Sequence, residues 1–382
     1  MSVRRLAFEP PLVLTIIIII NLISLALLFP AGAGAEESDE RPYSDLSLWT
    51  SEALVELAQT KELEPPPPQP PTPLEPERPK SEKPAEALLL EAGAILLPQG
   101  ILQVEPSIEY SHWSTNDIAI AGFTVFEAIV IGTIRVDELN RDIVTGALTM
   151  RYGILDRLQA DVRVPVLYRQ DSEVLGVGTI DERERTIDNF NIGDLEASVS
   201  YQALNERGWI PAVIARVRAR FPTGENPFEI ATVDIGGGEL RLTKPPTGSG
   251  FYGVGPGFTA VWTTDPVVFY VGGTYLFNLE RDFTGFGNIN PGNSFEWLAG
   301  INIALSERVA LNVTFIDQIN WSTDQNGVEV AGTSFNDGRV VLGASVSLSP
   351  NVTMLIGAGI GLTDDSPDFT FTVSLPITFK LY

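Results

Sequence analysis

The sequence predicts an all-β protein: an antiparallel transmembrane β-barrel of about twelve strands with a proline-rich N-terminal periplasmic extension. Three observations favour this fold. Apolar and polar residues alternate in successive segments from residue 100 onward, the connections between these segments are alternately short and long, and the chain begins with a secretory signal. Outer-membrane barrels combine alternating strands with short periplasmic turns and longer outer loops. A soluble sandwich has no reason to keep that alternation of lengths.

The composition excludes several classes of protein. The 382 residues carry a net charge of −24, one histidine and no cysteine. A chain without cysteine has neither a disulfide framework nor a thiol nucleophile. Proteins that bind nucleic acid present basic patches, so we expect no nucleic-acid partner for this acidic chain.

Residues 1–35 have the pattern of a signal peptide. Arg4 and Arg5 form a positive start, an apolar run follows, and Ala33-Gly34-Ala35 supplies the small residues of a cleavage site. The apolar run approaches the length that spans a membrane, so an uncleaved anchor is the alternative. We expect cleavage, because an acidic segment follows the small residues.

Two further segments precede the predicted barrel. Residues 36–86 are acidic and rich in proline, which predicts a stiff, extended periplasmic linker, and a short helix over 44–63 is left open. Residues 87–99 continue an apolar run that starts at Glu86. They form either a plug at the periplasmic mouth of the barrel or a plain lead-in to the first strand.

The barrel itself is predicted over residues 100–382, and its most regular strand runs from Val213 to Phe221. One face of this strand is wholly apolar, while the other carries Arg216, Arg218 and Arg220. If the apolar face meets lipid, the arginines line a wet lumen, because arginine on the lipid face at the bilayer midplane costs about 2–4 kcal/mol.

Residues 117–140 are apolar enough to be counted as one more strand, but the direction of the chain argues against a crossing. The strand over 142–153 must run inward because a short turn at Asp156 follows it, and the strand over 101–112 must run outward if the N-terminal extension is periplasmic. The residues between them therefore begin and end on the outer side, as a hairpin or an infolded loop. The strand count is then even, as bacterial barrels require.

Charged residues on neighbouring strands are predicted to line the lumen. They are Asp161, Arg163, Arg169, Asp194, Glu196, Arg216, Arg218 and Arg220. A hairpin turn near Glu206 and Arg207 would place Glu196 opposite Arg218 and Asp194 opposite Arg220. Such a wall either sets the electric field of a pore for polar solutes or only holds the strands in register, and both interpretations stay open.

Aromatic residues near strand ends predict girdles at the two membrane interfaces. Those near the outer loops are Trp113, Tyr168, Phe221, Trp297 and Trp321, and those near the short turns are Tyr152, Tyr201, Trp209 and Trp262.

The sequence offers little support for an enzyme. A Ser-His-Asp triad would have to use His112, the only histidine, and a lone histidine is more often incidental. The acidic run over 364–368 lacks the spacing of a known calcium loop. We expect no catalytic residues, no metal site and no cofactor.

Several short motifs resemble one outer-membrane family. They lie at 102–113 (LQVEPSIEYSHW), 122–124, 141–142, 151–153, 222–224 and 359–369 (GIGLTDDSPDF). Over roughly residues 90–382 the chain is similar to the family labelled for the MetA pathway of phenol degradation, and to the related Fap barrels that export functional amyloid. The resemblance implies a barrel of twelve strands, and for the exporters a trimer with a helical plug and a coiled coil. Residues 36–86 lack the sustained heptads of a coiled coil.

These observations predict an outer-membrane channel of a Gram-negative bacterium, with its N-terminal extension in the periplasm. The expected partners are outer-membrane lipid and a small solute, hydrophobic or aromatic in character, and a homo-oligomer is left open. Two alternatives remain. One is an exporter of a secreted, amyloid-type polypeptide, and the other is a structural or adhesive barrel with an occluded lumen.

Overall fold

The structure is a computed structural model that describes residues 84–118, 122–125, 129–132, 136–175, 183–234, 240–264 and 266–381. The predicted signal peptide, and the predicted linker up to residue 83, lie outside the described residues. The described elements are α1 (Pro84–Glu91), β1 (Ile101–Ile118), β2 (Gly122–Val125), β3 (Ile129–Gly132), β4 (Val136–Leu155), β5 (Leu158–Leu175), β6 (Arg183–Ile192), β7 (Leu195–Leu204), β8 (Ala212–Phe221), β9 (Thr232–Asp234), β10 (Leu240–Leu242), β11 (Gly253–Thr264), β12 (Val267–Asn278), β13 (Arg281–Phe283), β14 (Gly287–Asn290), β15 (Ser294–Ala304), β16 (Val309–Asn320), β17 (Asp324–Gln325), β18 (Val328–Glu329), β19 (Phe335–Ser349), β20 (Val352–Gly361), β21 (Phe369–Ser374) and β22 (Ile377–Lys380).

Within these described ranges the chain crosses one closed antiparallel sheet twelve times. The hydrogen-bonded order is β1, β4, β5, β7, β8, β11, β12, β15, β16, β19, β20 and β21, and β21 pairs with β1 again. β6 and β7 both pair with β5 and together make one crossing, as β21 and β22 do along β1. The predicted twelve-strand barrel is confirmed.

The wall of the barrel is apolar outside and polar inside. Outward residues such as Ile108, Phe258 and Ile360 are at least half exposed. The alternate residues point inward, and many are buried polar groups: Gln103, Glu105, Ser200, Asn302, Thr314 and Ser345. Successive residues of a strand point to opposite faces, so this division follows directly from the alternation in the sequence.

The two ends of the barrel differ in their connections. At one end, which we call the short-turn end, the connections include 156–157, 305–308 and 350–351. At the other, the long-loop end, they include 222–252, 279–293 and 321–334. β1 starts at the short-turn end, so α1 enters the barrel from there.

The strands extend further at the long-loop end than the sequence predicts. β1 and β4 pair as far as Ile118 and Val136, and β5 and β6 form a hairpin that pairs as far as Leu175 and Arg183. Beyond the pair of Tyr168 and Phe190 this hairpin is mostly polar on both faces, so it lacks the apolar alternation that marks a half-buried strand. β2 and β3 form a separate two-stranded hairpin and do not cross the barrel, in agreement with the prediction that 117–140 adds no crossing.

Residues of the long loops form structure of their own. β9 pairs with β10, and β13, β14, β17 and β18 make a four-stranded sheet. Phe228 stacks on Phe283 with 3.8 Å between ring centroids, and the fully buried Phe251 packs edge-on against both rings. No helix among the described residues is long and apolar enough to cross a bilayer.

Candidate functional site

α1 lies within the barrel, against the inner wall near the short-turn end. Leu89 and Ala94 pack with Val261 and Tyr270, and Ala87 and Leu88 pack with Ala310 and Leu355. These four wall residues lie on the inner face of β11, β12, β16 and β20. Small and apolar side chains on this part of the wall therefore form a surface that matches the apolar helix.

Hydrogen bonds hold the start of α1 and the chain that follows α1 to the wall. Asn302 donates through Nδ2 to the carbonyl of Ala85 (2.9 Å), and Gln159 accepts through Oε1 from the N–H of Leu97 (2.8 Å). Gly93 has a φ of 66°, and a Cβ at that position would meet the guanidinium of Arg216. The chain can turn out of the helix beside the arginine only because residue 93 is glycine.

A cavity of about 290 Å³ occupies the part of the lumen towards the long-loop end. Its charged lining comprises five arginines and seven acids: Arg141, Arg163, Arg169, Arg218, Arg220, Glu109, Asp194, Glu196, Glu296, Asp337, Asp364 and Asp365. Apolar side chains interrupt this lining, among them Trp113, Ile143 and Leu167. Six of the eight residues proposed from the sequence line the cavity, and Asp161 and Arg216 do not.

The central ion pair of the cavity joins Arg218 and Glu196, with 2.5 Å between Nη2 and Oε1. The predicted strand register is wrong by two residues: Glu196 lies opposite Arg220, and Arg218 lies opposite Ser198. The ion pair therefore runs diagonally. The hairpin is centred further along the chain than expected, because Arg207 pairs with Ile210 and Leu204 with Val213 at the turn. A slip of two residues leaves every side chain on its predicted face.

Asp194 does not form the predicted pair with Arg220. Its carboxylate accepts hydrogen bonds from the N–H and hydroxyl of Ser249 (2.8 and 2.5 Å) and from the N–H of Gly224 (3.1 Å). Arg220 instead donates through Nη2 to Oδ1 of Asn278 (2.6 Å). Asp194 thus fastens the two ends of the loop after β8 to the barrel wall. A Cβ at Gly248 would meet Asp194 and Gly224, so the loop approaches closely here.

The remaining predicted residues fall into two groups. Arg169 and Arg141 share the carboxylate of Asp171, at 2.6 and 3.2 Å, in a buried cluster. Nearer the short-turn end, Asp161 accepts from Ser198 (2.8 Å), and Arg216 donates to the hydroxyl of Ser200 (3.0 Å). Arg163 lines the cavity and, among the described residues, forms neither a hydrogen bond nor an ion pair.

Glu91, the last residue of α1, was not singled out from the sequence. Its side chain is exposed to water in the lumen, yet the barrel wall surrounds it. Enclosure by the wall, and then repulsion from Glu105, raises the pKa of Glu91 to about 7 against the opposing attraction of Arg151. Access to confined lumen water and an elevated pKa are compatible, because the surrounding wall still replaces much of the bulk solvent.

Two further residues differ from their expected roles or can be placed precisely. Trp113 lies on the inner face of β1 and lines the cavity, so its assignment to an outer girdle is wrong. His112 points outward, and its Nδ1 lies 2.8 Å from Oδ1 of Asp142. Within the described residues no serine hydroxyl bonds to His112, and no group of three or more His, Cys, Asp or Glu side chains could hold a metal ion.

Comparisons with known proteins agree with this architecture. Residues 121–379 match a family described as "Putative MetA-pathway of phenol degradation". The COG4313 outer membrane channel from Pseudomonas putida F1 is 14% identical with a TM-score of 0.54, over 75% of this chain and 97% of that chain. The translocator domain of autotransporter NalP from Neisseria meningitidis is 12% identical with a TM-score of 0.43, over 77% and 96% of the two chains. The Ralstonia pickettii toluene transporter TbuX is 9% identical with a TM-score of 0.37, over 75% and 90%. The likeness to the COG4313 channel supports the barrel fold.

Proposed function

We propose a transport function for this chain, which belongs to the family described as the MetA-pathway of phenol degradation. It forms a channel in the outer membrane of a Gram-negative bacterium and passes small hydrophobic or aromatic solutes through its lumen. The short-turn end faces the periplasm and the long-loop end faces outward, as in other outer-membrane barrels.

The observation that carries this proposal is the cavity of about 290 Å³ inside the barrel. Its size is near the lower end of the range for small-molecule sites, which is about 300–1,000 Å³. Its wall combines apolar side chains such as Trp113 and Leu167 with fixed charges. A lining of this mixed kind offers a small aromatic solute several weak contacts, which is what passage requires.

In this proposal α1 acts as a plug. It occupies the lumen on the periplasmic side of the cavity and is held by the apolar inner wall and by Asn302 and Gln159. A solute that has entered the cavity from outside would pass once the helical segment moves. An occluded structural barrel is the alternative that the same helix favours, because a helix that never moves would keep the lumen closed.

Uptake by intact cells tests the proposal. Cells of a Gram-negative host that carry the protein in the outer membrane should accumulate phenol and toluene faster than cells carrying an unrelated closed barrel at equal abundance. Equal rates in the two strains, with the protein heat-modifiable and correctly located, would reject transport of such solutes. That result would favour the structural barrel or the exporter.

A further inference from the structure

We propose that the cavity binds a small aromatic monocarboxylate, with its carboxylate on Arg163 and its ring on the apolar part of the same wall. This inference rests on the proposed function and deepens it, because it names the class of solute that the channel holds.

Arginines outnumber the wall carboxylates next to Arg163. Arg163 lies opposite Glu196 on the neighbouring strand, and Glu196 lies opposite Arg220 on the next. Glu196 is engaged by Arg218 at 2.5 Å, and Arg220 donates to a neutral amide. One carboxylate of the wall therefore lies among three guanidinium groups, and Glu91 of α1 also attracts Arg163. The oxygens of Asp194, the next acid on this wall, accept from Ser249 and Gly224.

The guanidinium of Arg163 has N–H groups that can bind a ligand. Among the residues that the structure describes, its guanidinium has no hydrogen-bond or ion-pair partner, although it borders the cavity. A guanidinium presents its N–H groups as a planar fork, which matches the two oxygens of a carboxylate. Charge-assisted hydrogen bonds of this kind are stronger when the site is sheltered from bulk water, as it is inside a barrel.

The aromatic ring of the ligand would lie beside apolar residues of the same wall. Pro165 and Leu167 follow Arg163 on the same face of β5. Ile143 lies on the adjacent strand β4, opposite Arg169, and Trp113 lies on β1, the strand beyond it. Residues two apart on a strand are separated by about 7 Å, so a ring whose carboxylate reaches Arg163 would lie over Pro165, whose side chain is buried in the wall where it borders the cavity. Leu167 is only 4% exposed, so it adds little further surface for the ring.

The acidic residues of the cavity limit the negative charge that a ligand can carry. Seven acids line the cavity against five arginines, and Glu296 on β15 has no hydrogen-bond or ion-pair partner within the described residues. The opposite wall therefore repels an ion with several negative charges, such as a phosphate ester. A single carboxylate held at the arginine wall avoids this repulsion best.

Calorimetric titration of the full-length protein in detergent tests the proposal, with benzoate as the probe and benzamide as its neutral analogue. Benzoate should bind about tenfold more tightly than benzamide, and its affinity should fall as salt rises. Arg163→Gln should weaken benzoate binding about tenfold and leave benzamide binding unchanged. Arg157→Gln is the matched control, because it removes the same charge at an exposed position in a short turn.

Equal affinities for benzoate and benzamide would overturn the proposal, and so would benzoate binding that Arg163→Gln leaves intact. If Arg163→Gln does not assemble, Arg163→Lys replaces it. That variant keeps the charge but loses the planar fork, so benzoate should bind it more weakly than the native protein, and unchanged affinity would count against the proposal. Failure of the proposed function is a separate result: benzoate would still bind in detergent, but cells carrying the protein would take up no aromatic solute.

Discussion

Arg218 and Glu196 form an ion pair along a diagonal of the β7–β8 hairpin, although Ser198 is the residue directly opposite Arg218. Glu196 also lies opposite Arg220 on β8 and opposite Arg163 on β5. Among the described residues, its carboxylate forms a close ion pair with Arg218 and with neither of these two arginines. This part of the wall consequently keeps an excess of positive charge facing the cavity.

Removal of this carboxylate should change the ion selectivity of the channel. In Glu196→Gln the three neighbouring guanidinium groups lose their shared anion, so the reversal potential under a KCl gradient should shift towards anion selectivity. The shift should be largest at low salt, because the Debye length is about 30 Å at 0.01 M and about 3 Å at 1 M. The barrel should still assemble, since lumen water can solvate Arg218.

Glu307→Gln is the control for this measurement, because Glu307 is exposed in a short turn. It should leave the reversal potential unchanged. If Glu196→Gln also conducts with the native reversal potential at every salt concentration, Glu196 does not border the conducting path.

Asp194 should stabilise the loop that follows β8 and contribute little to the electric field of the pore. In Asp194→Asn the new amide group would present donors to the N–H and hydroxyl of Ser249 or lose one of these bonds. A buried group that loses its hydrogen bond costs about 1–3 kcal/mol, so the loop over 222–252 should become sensitive to protease. Asp188→Asn, at an exposed position on β6, should not have this effect. Equal proteolysis of both variants and the native protein would contradict the anchoring role.

The sequence predicts the barrel and its faces because the side-chain period of a strand is two, and that period survives changes in strand length and register. The register itself depends on where the β7–β8 turn is centred, and the pairing of Arg207 with Ile210 at that turn leaves no mark in the alternation. The partner of Asp194 could not be predicted, because Ser249 lies 55 residues away and beyond a long loop. Trp113 was recoverable: counting alternate residues from Ser111 places it inside, whereas its position near a strand end suggested a girdle.

The docking of α1 should weaken as pH rises, because of Glu91. The pKa of this carboxyl is raised from 4.5 to about 7 in the docked helix, so docking favours the protonated form. Below pH 4.5 Glu91 is protonated whether the helix is docked or free, and docking is strongest. Between pH 4.5 and 7 the free helix increasingly loses its proton, which favours release, and above pH 7 the penalty is complete.

Hydrogen exchange of the peptide over 84–100, corrected for the intrinsic pH dependence of exchange, measures this docking. Protection should fall between pH 5 and pH 8 in the native protein and stay constant in Glu91→Gln. Glu307→Gln should behave as the native protein does. A pH dependence that persists in Glu91→Gln would assign the effect to another group.

The central claim is that the barrel is a channel whose lumen α1 occupies, and single-channel recording in planar bilayers tests it most directly. Three forms should be compared: the native protein, a deletion of residues 36–97 that removes α1, and a deletion of residues 36–73 that retains it. We expect discrete conductance steps of equal size for the native protein and the shorter deletion, and larger steps once α1 is absent. Folded, heat-modifiable barrels that show no steps in any of the three forms, or steps of one size in all of them, would contradict the account.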